Sequence, residues 1–258
     1  MTPIEGALVL LAGFGAGGIN AVVGSGTLIT FPTLLVFGVP PVVANASNTV
    51  GLVPGSISAA LGYRRELAGQ RARVLWLASA SLIGGLIGAV LLLALPPGAF
   101  AAIVPALILL GVTLVIFQKP IARWVAARHR EAEDAGEGLS SRGATWVWPG
   151  VLGAGIYGGY FGAAQGVLLM AIMGIGISDS MQRLNGVKNV LAAVVNGVAA
   201  AVFIAVAPVN WAAAGLIAVG SVIGAQVGAA FGRRLPDWVL RAVIVAVGLS
   251  ALVVFVAR

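Results

Sequence analysis

The sequence predicts an all-α polytopic membrane protein made of two inverted repeats, each with about four hydrophobic segments, the first broken or re-entrant. Three observations predict it. The 258 residues are 60% hydrophobic and 9% charged, with a mean hydropathy of +1.05, whereas an ordinary soluble domain carries about 25% charged residues. The chain also repeats itself at an offset of 140 residues without a gap. Gly13, Gly15 and Gly18 return as Gly153, Gly155 and Gly158, Gly26 and Leu28 as Gly166 and Leu168, and Asn45 as Asn185. Ser81-x-Ile83-Gly84-x-x-x-Gly88-Ala89 returns as Ser221-x-Ile223-Gly224-x-x-x-Gly228-Ala229, and Leu95-Pro96 as Leu235-Pro236. Finally, the two copies carry their arginines on opposite flanks.

The apolar segments of the first copy are predicted at 6–37, 41–62, 72–94 and 98–117. Those of the second are predicted at 147–176, 180–206, 209–232 and 236–257. A span needs about 20 apolar residues. The first segment of each copy exceeds this and is interrupted, by Gly24-Ser25-Gly26 in one copy and Gly162-Ala163-Ala164-Gln165-Gly166 in the other. Each reads as two shorter helices around an unwound turn. The expected organisation is a transmembrane repeat at 1–117, a charged linker at 118–145 and a second repeat at 146–258, all within one membrane domain.

Charge assigns the orientation. Arg64, Arg65, Arg71 and Arg73 lie between the second and third segments of copy one, which predicts a cytoplasmic loop. Two crossings later, Lys119, Arg123, Arg128 and Arg130 fall on the same side. In copy two the matching junction, Ala207-Pro208-Val209-Asn210, is uncharged, and Arg233 and Arg234 appear one junction later. The copies therefore point in opposite directions, which requires an odd number of crossings per repeat. Segments two to four supply three, so segment one must begin and end on the same side. The expected topology is multi-pass, with a cytoplasmic linker and both termini outside. Glu5, with no early Lys or Arg, argues against a cleaved signal sequence.

Composition also excludes. The net charge of +7 does not indicate nucleic acid, because the basic residues sit at segment ends. No cysteine is present, and the single histidine, His129, lies in the linker. No metal site, cofactor or thiol chemistry is expected. Gly13-Phe14-Gly15-Ala16-Gly17-Gly18 matches G-x-G-x-x-G but lacks the strand and acidic residue of a dinucleotide site. It reads as close helix packing, as do Ser81/Gly84/Gly88 and Ser221/Gly224/Gly228.

The candidate site gathers around the breaks. Lys188 lies early in a long apolar segment and is the only lysine besides Lys119. Charge inside a membrane usually faces a pathway or a partner. Lys188 is read either as an anion-binding cation or as a lysine reaching the interface beside Arg183. Asn45 and Asn48 in copy one, and Asn185 and Asn189 in copy two, add amides, with Asn196 deeper. Asn20, Ser25, Thr27 and Gln165 sit at the breaks, framed by Gly24, Gly26, Gly162 and Gly166. Half-helix N-termini there are expected to present free N–H groups to an anion. Tyr157 and Tyr160 are possible further donors, and Asp179 and Asp237 read as helix caps. The scarcity of carboxylates in the spans points away from a cationic substrate.

These motifs resemble the TauE/SafE sulfite exporter family of bacterial membrane proteins. The resemblance rests on the openings Gly13 to Gly26 and Gly153 to Gly166, the turn Gly38-Val39-Pro40-Pro41, the helices Ser81 to Gly88 and Ser221 to Gly228, and Leu95-Pro96-Pro97 with Leu235-Pro236. It departs from the family at Ser178-Asp179-Ser180 and over Leu184 to Asn189. The resemblance implies transport, often outward, of sulfite, sulfonates or related small sulfur-containing anions across the bacterial inner membrane. A non-enzymatic secondary transporter in the lipid bilayer is expected, with the coupling ion, H+ or Na+, left open. A passive anion channel of the same architecture is the alternative.

Overall fold

A computed structural model describes residues 1–134, 143–231 and 245–246. Described residues form helices and connecting turns. The first copy comprises α1 (Pro3–Val22), α2 (Thr27–Val36), α3 (Pro41–Gly62), α4 (Arg71–Ala94) and α5 (Pro97–Asp134). The second comprises α6 (Val147–Tyr160), α7 (Gln165–Gly176), α8 (Met181–Val206) and α9 (Trp211–Phe231). Its expected fourth segment at 236–257, with Arg233, Arg234 and Asp237, lies outside the described residues, apart from 245–246. So does the linker stretch 135–142. α5 continues beyond its apolar stretch Gly98–Gln118 to Asp134, so the first part of the expected linker is helical.

Among the described residues, five helical stretches are long and apolar enough to cross a bilayer: Pro3–Val22, Arg71–Ala94, Gly98–Gln118, Met181–Val206 and Trp211–Phe231. α3 has 22 residues but carries Asn45, Ser47, Asn48, Thr49, Ser56 and Ser58, all buried. Its polar face is affordable only because protein covers it. α4 and α9 show the reverse arrangement. α4 buries Ser81, Gly84, Gly85 and Gly88, and exposes Leu82, Ile83, Leu86 and Ile87. α9 buries Gly220, Ser221, Gly224 and Gly228, and exposes Val219, Val222, Ile223 and Val227. Small residues inside and large apolar ones outside suit a helix that faces lipid.

The repeats exchange partners. α1 packs on α9 of the other copy, and α6 on α4. Two groups result, α1/α3/α9 and α4/α6/α8, and each contains helices from both copies. Packing is so close that a Cβ on Gly228 would lie 2.5 Å from the Gly18 carbonyl oxygen, and one on Gly88 2.1 Å from that of Ile156. These pairs correct the register of the duplication. Gly88 and Gly228 are 140 apart, but their partners Gly18 and Ile156 are 138 apart. The opening helices and the breaks therefore correspond at 138, and α7, with 12 residues against the 10 of α2, restores 140. The glycine matches at 140 misled because a stripe dense in small residues looks similar in several registers.

The groups meet where α3 crosses α8. Gly186, near the start of α8, approaches Leu67, just past the end of α3. At the opposite end, the Asn210 amide donates to Ser47 Oγ at 2.8 Å. α3 and its counterpart α8 thus run antiparallel. In between, Asn196 donates to Ser56 Oγ at 3.0 Å. These two match at the 140 offset, a contact of the kind that a two-fold axis relating the copies would produce. The α1–α2 hairpin begins and ends at one end of the molecule: Gly6 approaches Leu216 in the first turns of α9, beside the Asn210–Ser47 contact at the start of α3.

At the breaks the chain turns through left-handed backbone at Gly24 (φ 83°), Gly162 (φ 76°) and Ala164 (φ 59°). Glycine adopts such angles without strain. The two breaks touch: the Gly166 amide donates to the Gly24 carbonyl at 3.1 Å, and a Cβ on Gly166 would lie 2.5 Å from Gly24 Cα. Gly166→Leu is therefore expected to destabilise by at least the ~1–3 kcal/mol of ordinary overpacking, because backbone must move. Gly153→Leu should be tolerated, since nothing lies within 4 Å of a Cβ there. Thermal unfolding of the two purified variants checks this; equal midpoints would refute the close approach.

Candidate functional site

A break inside an apolar layer strands the backbone groups of four half-helix ends, each of which costs free energy if left without a partner. The chain answers with polar side chains from α3 and α8. At the end of α1, the Ala21 carbonyl accepts from Asn185 Nδ2 at 3.1 Å, Asn189 Nδ2 at 3.1 Å and Lys188 Nζ at 3.3 Å, and the Asn20 carbonyl accepts from Lys188 Nζ at 2.9 Å. At the end of α6, the Tyr160 carbonyl accepts from Asn45 Nδ2 at 3.0 Å, and the Ala163 carbonyl from the Tyr157 hydroxyl at 2.5 Å. Asn45 and Asn185 are counterparts and do nearly the same task.

The expected free N–H groups are mostly occupied, which corrects the sequence reading. The Gly26 amide donates to Asn20 Oδ1 at 2.8 Å. The amides of Leu28, Ile29, Gln165, Gly166, Val167 and Leu168 all donate to carbonyls. A hairpin also brings the end of one half-helix next to the start of the next. The negative ends of α1 and α6 therefore stand beside the positive ends of α2 and α7, and the dipoles oppose one another.

Between the breaks, beside the α3–α8 crossing, lies a cavity of about 20 Å³ lined by Asn20, Gly24, Thr27, Ser56, Gly162, Gln165, Gly166, Asn189 and Asn196. Every charge is missing from this lining. Gln165 is 4% exposed and its Nε2 has no hydrogen-bond partner. Ser25, in the break of copy one, is fully buried and its Oγ is likewise unpartnered. The volume suits about one water molecule, well short of an anion with four or more heavy atoms.

The predicted residues thus divide. Asn20, Thr27, Gln165 and Asn189 line the cavity, with Gly24, Gly162 and Gly166. Lys188, Asn45, Asn185, Ser25 and Gly26 stand behind or beside it. Lys188 is fully buried rather than reaching an interface. Asn48 ties α3 to α2: it accepts from the Thr30 hydroxyl and donates to Thr27 Oγ1 at 3.3 Å. Tyr160 packs in an aromatic cluster with Phe100, Phe31 and Phe161. Ser56 was missed. Its signal was available, because it precedes Asn196 by 140 residues.

One polar cluster links the copies at the arginine-rich end. Asp179 Oδ2 accepts from Arg73 at 2.6 Å, and its Oδ1 accepts from Arg183 Nε at 2.9 Å and from the Ser180 amide at 2.8 Å. Arg183 also donates to the Ala68 carbonyl at 3.2 Å, and Gln70 accepts from Arg73. The cap of α8 is Ser180, whose hydroxyl accepts from the Arg183 amide. Asp179 is therefore a bridge between repeats and not the cap expected from sequence. The counterparts at the other end, Val39, Ala213 and Val43, are apolar, so the bridge exists on one side only.

The model of the sulfite exporter TauE/SafE family matches residues 9–255. A "Probable membrane transporter protein" of Haemophilus influenzae is 25% identical over 226 residues, covering 86% of this chain and 83% of the relative. A "Probable membrane transporter protein ORF9" of a Sinorhizobium species is 28% identical over 253 residues, covering 95% and 89%. No solved structure matches the chain. The chain belongs to the TauE/SafE family and is a multi-pass membrane transporter.

Partial burial pushes the Asp179 carboxyl up, but hydrogen bonds from Arg73, Ser180 and Arg183, with the Arg183 charge, outweigh it and hold the carboxyl below its usual range. A depressed carboxylate contributes stability that is present above its unfolded value, near 3.9, and is lost as pH falls through the folded one. The thermal midpoint of the protein should therefore fall in acid. Asp179→Asn should destabilise the fold by about 1–3 kcal/mol at neutral pH and flatten the acid decline of the midpoint. Parallel declines in both proteins would remove Asp179 as the titrating link.

Proposed function

We propose that this member of the TauE/SafE family is a secondary carrier that exports a small sulfur oxyanion, such as sulfite or a sulfonate, across the bacterial inner membrane. The observation that carries the reading is the polar cavity between the breaks, with the unpartnered Gln165 amide beside Asn189 and Asn196. Buried donors without partners are costly. An oxyanion that displaces the cavity's small volume and accepts from them recovers that cost. The absence of any carboxylate in the lining suits an anion rather than a cation.

The antiparallel run of α3 and α8 supports inverted repeats about an axis in the membrane plane, the arrangement used by alternating-access carriers. The arginine-rich end, with Arg64, Arg65, Arg71 and Arg73, is taken as cytoplasmic, as is the 118–145 linker, and both termini as external. The moving bodies are the two mixed groups, α1/α3/α9 and α4/α6/α8, sliding along the α3–α8 crossing. The cavity is too small for the anion as it stands, so loading requires that crossing to open. Opening toward the cytoplasm breaks the Arg73–Asp179–Arg183 bridge, while the apolar counterparts at the other end part without breaking an ion pair. That difference lets the two openings have unequal free energies.

Three measurements test this. In proteoliposomes, labelled sulfite flux should saturate and be stimulated by unlabelled sulfite on the far side; unsaturable flux with unitary currents would mean a channel. Gln165→Leu should weaken sulfite affinity about tenfold, the equivalent of one lost hydrogen bond to a charged group. Cysteines placed singly at Gly98 and Asn210 should react with an impermeant thiol reagent from outside, and one at Arg65 should not. The chain has no native cysteine, so a label at Arg65 from outside would overturn the assigned orientation.

A further inference from the structure

The carrier reading leaves an electrostatic difficulty at the cavity. Two helix C-termini, those of α1 and α6, end at its wall, each equivalent to about half a negative charge. An anion placed between Asn20, Gly24 and Gly162 meets these ends at close range. The N-termini of α2 and α7 supply the opposite sign, but their amides already donate to Asn20 Oδ1 and to carbonyls. The four half-helix ends therefore come close to cancelling, and the backbone alone gives no strong preference for an anion.

The side chains break the balance on one side only. The end of α6 is closed by neutral groups: Asn45 on the Tyr160 carbonyl and the Tyr157 hydroxyl on the Ala163 carbonyl. At the end of α1, Lys188 Nζ sits on the Asn20 and Ala21 carbonyls, flanked by Asn185 and Asn189. Lys188 is fully buried, and among the described residues no carboxylate pairs with it. Its counterpart at the 140 offset is Asn48, which serves α2 instead. Lys188 does not line the cavity, but Asn20 and Asn189, which share carbonyls with it, do.

Resting on the carrier reading above, we propose that Lys188 is a positioning residue that makes the site anion-selective through the end of α1 without touching the substrate. Its ammonium holds the last-turn carbonyls of α1, turns that helix end from a repulsive group into a neutral or attractive one, and finds its counter-charge in the transported anion. The lysine is held by carbonyls in the empty carrier and is compensated fully only when an oxyanion arrives. Substrate charge is then the property that this residue reads.

This form of action has a signature that a purely structural lysine lacks. Coulomb energy scales with the charge of the ligand. Removing one positive charge behind the site therefore costs a dianion twice the free energy that it costs a monoanion. The experiment measures binding of methanesulfonate, a monoanion, and thiosulfate, a dianion, to the purified protein at neutral pH. Lys188→Gln keeps a side chain able to donate to the Asn20 or Ala21 carbonyl and removes the charge. If methanesulfonate affinity falls about tenfold, thiosulfate affinity should fall about a hundredfold. Equal losses for the two anions, or no loss, would overturn the proposal and leave Lys188 a helix-end cap. The double variant Asn185→Lys/Lys188→Asn presents the ammonium to the same Ala21 carbonyl from the neighbouring turn and should regain the preference for the dianion. If Lys188→Gln does not fold, this variant decides alone, and its failure to prefer the dianion while folded would overturn the proposal. Wild-type protein that binds neither anion would count against the carrier reading itself, a result separate from any difference between the variants.

Discussion

Unsatisfied backbone at the broken helix ends is the constraint on which the rest of this structure depends. A bilayer offers no water to a stranded carbonyl, so each break must bring its own partners. That requirement explains why α3 and α8 are polar early in their length although they lie among apolar helices. Asn45, Asn185, Asn189 and Lys188 all donate to carbonyls at the ends of α1 and α6. It also explains the glycine contact between Gly24 and Gly166, which lets one break hydrogen-bond to the other directly. The cavity between the breaks is what remains where these partners do not quite fill the space.

The exchanged packing gives this arrangement its mechanical sense. Because α1 is bound to α9 and α6 to α4, each break is anchored to a helix of the opposite copy. The small-residue faces that join them bring backbones into near contact. In the proposed carrier these pairs move as units and the freedom lies at the α3–α8 crossing, where Ser56 meets Asn196. Asymmetry then enters through a few side chains laid over a symmetric frame: Lys188 against Asn48 at the cavity, and the Asp179 bridge against Val39, Ala213 and Val43 at the ends. In the proposed carrier, such a frame supplies two related conformations, and the substitutions supply charge preference and direction.

Much of this was legible in the sequence. The Gly24–Gly26 and Gly162–Gly166 interruptions announced the hairpins, because segments of that length have no use for such flexibility in a straight span. Asn45 and Asn185 stood out by their equal spacing. The register of the opening helices was misread at 140, since Gly13, Gly15 and Gly18 lie in stripes where every third or fourth residue is small. The Arg73–Asp179 pair joins positions 106 residues apart, and no local pattern marks it. The free N–H groups expected at the half-helix starts were an error of accounting: a break supplies carbonyl ends as well as amide ends, and here the two largely serve each other.

The central claim is that an oxyanion binds in the cavity between the two breaks. Selenite, the selenium analogue of sulfite, tests it most directly, because its anomalous scattering locates the anion in a crystal of the protein soaked with it. The account predicts a selenium peak within hydrogen-bonding distance of Gln165 and bounded by Asn189, Asn196 and Ser56, with the α3–α8 crossing widened to admit it. A single peak among the surface arginines near Arg64 and Arg65, with the cavity unchanged, would contradict it.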